Sequence, residues 1–256
     1  MKKLLSLLML AALLAPAAQA ADASKLRIGV EGAYPPFSSV GPDGKIKGFD
    51  IDIANALCAE MKAQCTLVQQ DFDGMIPALQ ARKFDLIVAS MAITPERLRV
   101  VDFSDKYYNT PTRLIAKSGV KIDGSPESLK GKRIGVQRST INDRYASAKF
   151  KGATITRYGT QDEIYLDLAA GRIDATLVDS VAGDVGFIKT PAGKGYALTG
   201  PVYDDPEYFG TGVGIALRKG ETDLRSRLNA AIKAIRANGV YKKLQDQYFN
   251  FDVYGK

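Results

Sequence analysis

The chain contains no histidine, which removes the Ser-His-Asp triad and most zinc arrangements, since both depend on imidazole. No glycine loop followed by lysine is present to cradle a phosphate, and Gly210-Thr211-Gly212-Val213-Gly214 has the wrong spacing for a dinucleotide fingerprint. Beyond the N-terminus no apolar run approaches the about 20 residues a membrane span needs. Acidic residues fall short of basic ones, leaving a formal net charge of +7. The lysines and arginines are nevertheless spread along the chain among carboxylates, with no basic block and no aromatic-rich RNA signature. Nucleic acid is not expected as a partner, and the charge reads as a solvated surface. Neither a cofactor nor a metal is expected.

Cysteine is equally scarce, with only Cys58 and Cys65. On a continuous helix, positions seven apart stand about 10 Å apart along the axis, beyond disulfide reach. A bridge therefore requires the helix carrying Cys58 to end near Ala63; two unrelated buried thiols are the alternative. The first residues bear on the choice. Lys2 and Lys3 precede an apolar run from Leu4 to Pro16 and then Ala18-Gln19-Ala20, the layout of a cleaved signal peptide over residues 1–20. Export to an oxidising compartment favours the bridge. Loss of Lys2 and Lys3 leaves a mature charge of about +5.

A weak duplication organises what remains. Arg27-Ile28-Gly29-Val30 recurs as Arg133-Ile134-Gly135-Val136, and the stretch Leu79 to Val88 resembles Leu168 to Leu177, with Leu, Ala, a basic residue and Asp in register. Between the members of each pair, helix and strand alternate. Ile53, Ala54, Leu57, Cys58 and Met61 form a helical stripe, residues 66–70 alternate as a strand, and 73–81 predict a second helix. The second half repeats this with a helix after Thr140, a strand over 154–158 and a helix over 161–170 stopped by Gly171. A strand over 212–217 and two helices broken at Asn238-Gly239 complete the chain. The pattern predicts two α/β lobes, each with a mostly parallel sheet. Residues 21–110 with 206–256 form one lobe and 111–205 the other, with crossings near Asn109–Arg113 and Thr199–Pro206.

Ligands of open parallel sheets bind beyond the carboxyl ends of the strands. That rule nominates Glu31 and Tyr34 after the first strand, and Gln137, Arg138, Ser139 and Thr140 after its counterpart. Ser90 and Asp179 follow the second echoed pair. A carboxylate calls for a guanidinium and free N–H groups, which Arg97 in Thr94-Pro95-Glu96-Arg97 and the helix start at Ser139-Thr140 supply. An ammonium calls for Asp179 and Ser90, one from each lobe. Glu31 with the faces of Tyr34 and Phe72 suits an apolar stem ending in a cation. Taken singly each has a local reading: Thr94-Pro95 as a cap, Asp179 as an N-cap, Glu31 as a surface acid, Tyr34 and Phe72 as core.

The stretches Glu31-Gly32-Ala33-Tyr34-Pro35-Pro36-Phe37, Gly48-Phe49-Asp50-Ile51-Asp52, Asp71-Phe72-Asp73-Gly74-Met75-Ile76-Pro77, Ile93-Thr94-Pro95-Glu96-Arg97 and Tyr208-Phe209-Gly210 resemble polar amino-acid solute-binding proteins of ABC transporters, in the lysine/arginine/ornithine and histidine branch. The resemblance implies a two-lobed periplasmic-binding-protein fold of type II and a monomer in the periplasm. Its partners would be a free basic L-amino acid, arginine and ornithine before lysine or histidine, and an inner-membrane ABC permease. It implies that Arg97 takes the α-carboxylate, Asp179 the α-ammonium and Ser90 both, with Glu31 at the cationic end between Tyr34 and Phe72. A Cys58–Cys65 disulfide belongs to this branch.

Serines common in relatives are replaced by Ala89 and Ala92, where only backbone contacts remain. The anion loop, with Gln137, Thr140 and Ile141 as its binding residues, lacks the usual glycine, and Arg138 either faces the mouth or points outward. Two other activities fit the same resemblance: a cyclohexadienyl dehydratase using Glu31 or Asp179 as general acid, and an amino-acid sensing module.

Overall fold

The computed structural model describes residues 25–255; the expected signal peptide lies outside them. The chain runs β1 (Lys25–Val30), β2 (Ala33–Tyr34), β3 (Ser38–Val40), β4 (Ile46–Lys47), α1 (Phe49–Glu60), β5 (Gln64–Gln69), α2 (Met75–Gln80), β6 (Leu86–Ile87), α3 (Pro95–Leu98) and β7 (Val101–Tyr108). It continues with β8 (Thr112–Lys117), α4 (Pro126–Leu129), β9 (Arg133–Gln137), α5 (Ile141–Lys149), β10 (Thr154–Tyr158), α6 (Gln161–Ala169), β11 (Ala175–Asp179), α7 (Ser180–Gly183) and β12 (Tyr196–Tyr203). It ends with α8 (Pro206–Phe209), β13 (Val213–Arg218), α9 (Thr222–Ala237) and α10 (Val240–Tyr248).

Two five-stranded sheets result, ordered β5-β1-β6-β13-β7 and β10-β9-β11-β8-β12, so the second sheet is built from one continuous stretch, β8 to β12, while the first draws on the chain both before it and, through β13, after it. In each sheet four strands share a direction and one opposes them, β13 in the first and β8 in the second. The reason is topological: β8 and β13 each begin where the chain has just crossed between lobes, so they run away from the gap while the others run toward it. Both faces of each sheet are covered. On the first lobe, α1, α9 and α10 enclose Ile28, Phe37, Phe49 and Phe249, while Phe72, Met75, Leu79 and Phe84 fill the opposite face. Helix α8 packs on α5 of the second lobe, with Tyr145 against Tyr208 and Phe209.

The internal echo is a packing rule. In the first lobe Arg27 donates its backbone N–H to Asp85 Oδ2 at 2.9 Å and its Nη2 to Oδ1 at 2.9 Å; in the second, Arg133 does the same to Asp174 at 2.8 and 3.0 Å. Registers correspond too, Gly29 opposite Ile87 and Gly135 opposite Thr176. A Cβ on Gly29 would stand 2.7 Å from the Phe84 ring, and one on Gly135 2.5 Å from Ile173. Phe84 and Ile173 each precede the paired aspartate, so the glycines exist to admit them. Gly29→Ala and Gly135→Ala are each expected to cost about 1–3 kcal/mol through overpacking, read as a lower urea midpoint with an unchanged slope.

Local signals behave as their chemistry dictates. Thr160 and Glu163 form a reciprocal capping box at α6, and Gly171 ends that helical stretch with φ of 70°. Expected bounds shift at two places. The strand read over 66–70 begins earlier, at Gln64, because Gln64 and Cys65 pair with Lys25 and Leu26. The helix read over 73–81 starts as a tight turn at Phe72–Gly74 before α2. Helix α1 ends at Glu60, which lets Cys58 and Cys65 form a disulfide with Cα atoms 6.2 Å apart. Replacing both cysteines by serine is expected to lower unfolding stability by about 2–2.5 kcal/mol, the entropy of so small a loop, without changing ligand affinity. Denaturant titration and calorimetry check the two halves of that statement. Among the described residues no helix is long and apolar enough to cross a membrane.

Candidate functional site

The carboxyl ends of β1, β6, β9 and β11 converge on the gap between lobes, and a cavity of about 340 Å³ opens there. Its wall takes in Glu31, Tyr34, Phe72, Ala89, Ser90, Ala92, Arg97, Gln137, Thr140, Ile141 and Asp179. Of the candidates read from the sequence, these eleven are thus brought to one place, while Arg138 and Ser139 are not on the wall. The volume is at the small end of ligand pockets, about 300–1,000 Å³.

Arg97 is placed by α3, whose Thr94 side chain accepts the Arg97 N–H at 3.2 Å while Pro95 opens the helix. Its guanidinium donates Nη1 to Ala92 O at 3.1 Å and Nη2 to Ser139 O at 3.3 Å, one carbonyl from each lobe. It lies 5.4 Å from the Phe72 ring centroid, so Phe72 faces the guanidinium as well as the cavity. Burial lowers this side chain to about 10. Asp179 ends β11 and caps α7: Oδ1 accepts from the N–H groups of Val181 and Ala182 at 2.8 and 3.0 Å, and Oδ2 from the Thr110 hydroxyl. Cap and cavity wall are therefore one residue, and burial raises its carboxyl. Glu31 is 6% exposed and accepts from Gln137 Nε2, which also reaches Gly159 O at 3.1 Å. Burial outweighs that hydrogen bond and pushes Glu31 up to about 7.

Among the described residues none of these charged groups forms an ion pair. One desolvated cation and two desolvated carboxylates therefore face the same cavity uncompensated, while Asp204, the third wall carboxylate, is exposed. Desolvated charges left this way are costly unless a ligand completes them.

Several assigned side chains turn out to be engaged with the protein. The Ser90 N–H and hydroxyl both donate to Asp50 Oδ2, at 2.7 and 3.0 Å, leaving its oxygen lone pairs and carbonyl for the cavity. Gln137 secures Glu31 across the gap. The Thr140 hydroxyl donates to Gln137 O at 2.7 Å and caps Asp143 N–H at 3.1 Å, so the first N–H groups of α5 are what this loop offers an anion. Arg138 points outward and pairs with Asp73 of the first lobe. Arg144 crosses likewise to Glu96 at 2.8 Å. Both pairs cross between the lobes in partly exposed positions, where each contributes little.

Some wall residues escaped the sequence reading. The first crossing segment supplies Asn109, Thr110 and Pro111, and on the other side the end of β12 supplies Val202 and Tyr203, with Asp204 just after it. Asn142 is 7% exposed, and its Oδ1 has no hydrogen-bond partner. Asp50, fully buried and pushed to about 7 by burial, sits behind Ser90. Among the described residues no group of His, Cys, Asp and Glu is placed to hold a metal ion.

An L-arginine-binding protein of Pseudomonas aeruginosa is 57% identical over 232 residues, covering 90% of this chain and 90% of its own. The lysine/arginine/ornithine-binding periplasmic protein of Escherichia coli K12 is 43% identical over 257 residues, covering 99% of each. Among solved structures, a Salmonella typhimurium periplasmic binding protein described for its high arginine specificity superposes with a TM-score of 0.82 at 34% identity, over 88% of this chain and 99% of that one. The architecture is the two-lobed type II periplasmic-binding fold. The sequence of residues 26–251 matches the bacterial extracellular solute-binding proteins of family 3, a span that takes in the whole cavity wall and, but for Lys25, both sheets, and the chain belongs to that family.

Proposed function

We propose that this protein is a periplasmic receptor that closes its two lobes around one basic L-amino acid, arginine or ornithine first, and hands it to an inner-membrane ABC permease. The observation that carries this reading is the trio of desolvated, unpaired charges on one cavity: Arg97 against Asp179 and Glu31. The complement of that trio is a molecule with one negative and two positive groups, which describes arginine, ornithine and lysine. The relatives named for arginine and for lysine/arginine/ornithine support it.

Binding and closure are one event in this account. The α-carboxylate meets Arg97 from the first lobe and the start of α5 from the second, while the α-ammonium meets Asp179 from the second and Ser90 from the first. Each end of the ligand touches both lobes, so the ligand stabilises the closed form through its differential affinity for it. Ala89 and Ala92 contribute backbone groups, and Tyr34 and Phe72 flank the side-chain stem. The crossing segments around residues 109–111 and 204–205 act as the hinge between lobe 1 and lobe 2. The protein carries no chemistry and works as a monomer. After cleavage behind residue 20 it acts in the periplasm.

Titration calorimetry of the mature protein against the common amino acids tests the reading. Arginine and ornithine should bind most tightly and be recovered intact by mass spectrometry. Recovery of an aromatic product from a cyclohexadienyl acid would instead establish the dehydratase, and no response to any basic amino acid would end the proposal.

A further inference from the structure

Asp50 is wholly buried in the first turn of α1, yet it does not cap that helix. Its Oδ2 takes both donors of Ser90, at 2.7 and 3.0 Å, and its Oδ1 takes the Tyr107 hydroxyl at 2.8 Å. No cation among the described residues pairs with it, so these donors are what makes a buried carboxylate tolerable. Ser90 itself has φ of 52°, the left-handed region that a serine avoids without support. The strained residue and the buried acid are therefore one unit.

The loop after β6 is pinned at its other end as well. Ala92 bridges to Val213, Met91 O accepts from Gly214 N–H at 3.1 Å, and Ala92 O holds the Arg97 guanidinium. Asp50 thus fixes the Ser90 end of the Ser90–Ala92 loop, which β13 does not hold, and two of the three side chains assigned to the ligand backbone, Ser90 and Arg97, are attached to that loop.

We infer that Asp50 is a positioning residue for the amino-acid backbone site: it holds Ser90 in the left-handed conformation and so presets the loop that presents Ser90 and the carbonyl supporting Arg97. This rests on the reading of the cavity given above. Asp50 touches no part of the ligand; it acts through Ser90 by preorganisation, as outer partners of metal ligands do.

Calorimetry of the mature protein with L-arginine reads the effect. Asp50→Asn preserves shape and loses acceptor capacity, and arginine affinity should fall roughly tenfold to a hundredfold, the range seen for such outer partners. The decisive comparison adds a second change in that background. Ser90→Gly and Ser90→Ala both delete the hydroxyl, but glycine alone adopts the left-handed conformation at no steric cost. Asp50→Asn with Ser90→Gly should therefore bind arginine more tightly than Asp50→Asn with Ser90→Ala. With Asp50 in place the advantage of glycine should be smaller, because the carboxylate still takes the N–H of residue 90; a role for Asp50 in α1 stability alone leaves the advantage equal in both backgrounds. Where circular dichroism shows Asp50→Asn unfolded, Asp50→Glu decides, since it keeps the charge but displaces the carboxylate; the same loss is expected. Affinity equal to the parent in Asp50→Asn or Asp50→Glu, or a glycine advantage no larger in Asp50→Asn than with Asp50 present, overturns the inference. A parent protein that binds no amino acid overturns the binding reading instead.

Discussion

Arg97→Ala is expected to abolish calorimetric binding of every amino acid, charged or neutral. The guanidinium is the only cation among the cavity-wall residues, and its hydrogen bonds go to carbonyls, with the Phe72 ring beside it. Removing one partner of a desolvated charge pair costs about 2–5 kcal/mol, roughly 30-fold to 5,000-fold in affinity. The loss is compounded because Nη2 also ties the lobes together through Ser139 O at 3.3 Å. Since the group it serves is common to all amino acids, ligands should weaken together. Arg97→Lys keeps a charge but loses the planar fork, and should recover only a small part. A selective loss, with arginine weakened and a neutral amino acid spared, would move Arg97 away from the carboxylate.

Glu31→Gln should do the opposite, weakening arginine, ornithine and lysine by about 2–5 kcal/mol while sparing whatever neutral ligand the site accepts. Its pH signature follows from the raised carboxyl. In the ligand-free site Glu31 is pushed up to about 7, first by burial, with Gln137 opposing and Asp162, Asp71 and Asp50 adding to it. A bound cationic tail favours the ionised form and lowers that value, so the free protein holds more protons than the complex below about 7. Binding then releases protons, and arginine affinity climbs as pH rises toward that value and levels off above it. Glu31→Gln should flatten the climb. It should not remove it, because Asp179 and Asp50 are raised by burial as well. Arginine binding in Glu31→Gln equal to the parent would place the cationic tail elsewhere.

The architecture was legible because its signals are local and repeated. Arg27 with Asp85 and Arg133 with Asp174 leave the same residues in register in both halves, and Gly29 and Gly135 mark where Phe84 and Ile173 press on the sheet. Site residues at strand ends were legible for a related reason, since chain direction sends those ends to the gap. Partners were not. That Ser90 is held by Asp50, Gln137 by Glu31 and Arg138 by Asp73 depends on separations of 40, 106 and 65 residues, which no periodicity encodes. Asp50 was hidden for a further reason: an acid in the first turn of a helix reads as a dipole complement, although here it faces away to another loop. Asn142 and the crossing segments carry no chemical signature until the lobes meet.

The most direct test is a crystal structure of the mature protein with L-arginine. The account predicts Arg97 Nη atoms within about 3 Å of both α-carboxylate oxygens, Asp179 and Ser90 on the α-ammonium, and the Glu31 carboxylate on the ligand guanidinium. An arginine bound with its carboxylate away from Arg97, or with its guanidinium remote from Glu31, would contradict it.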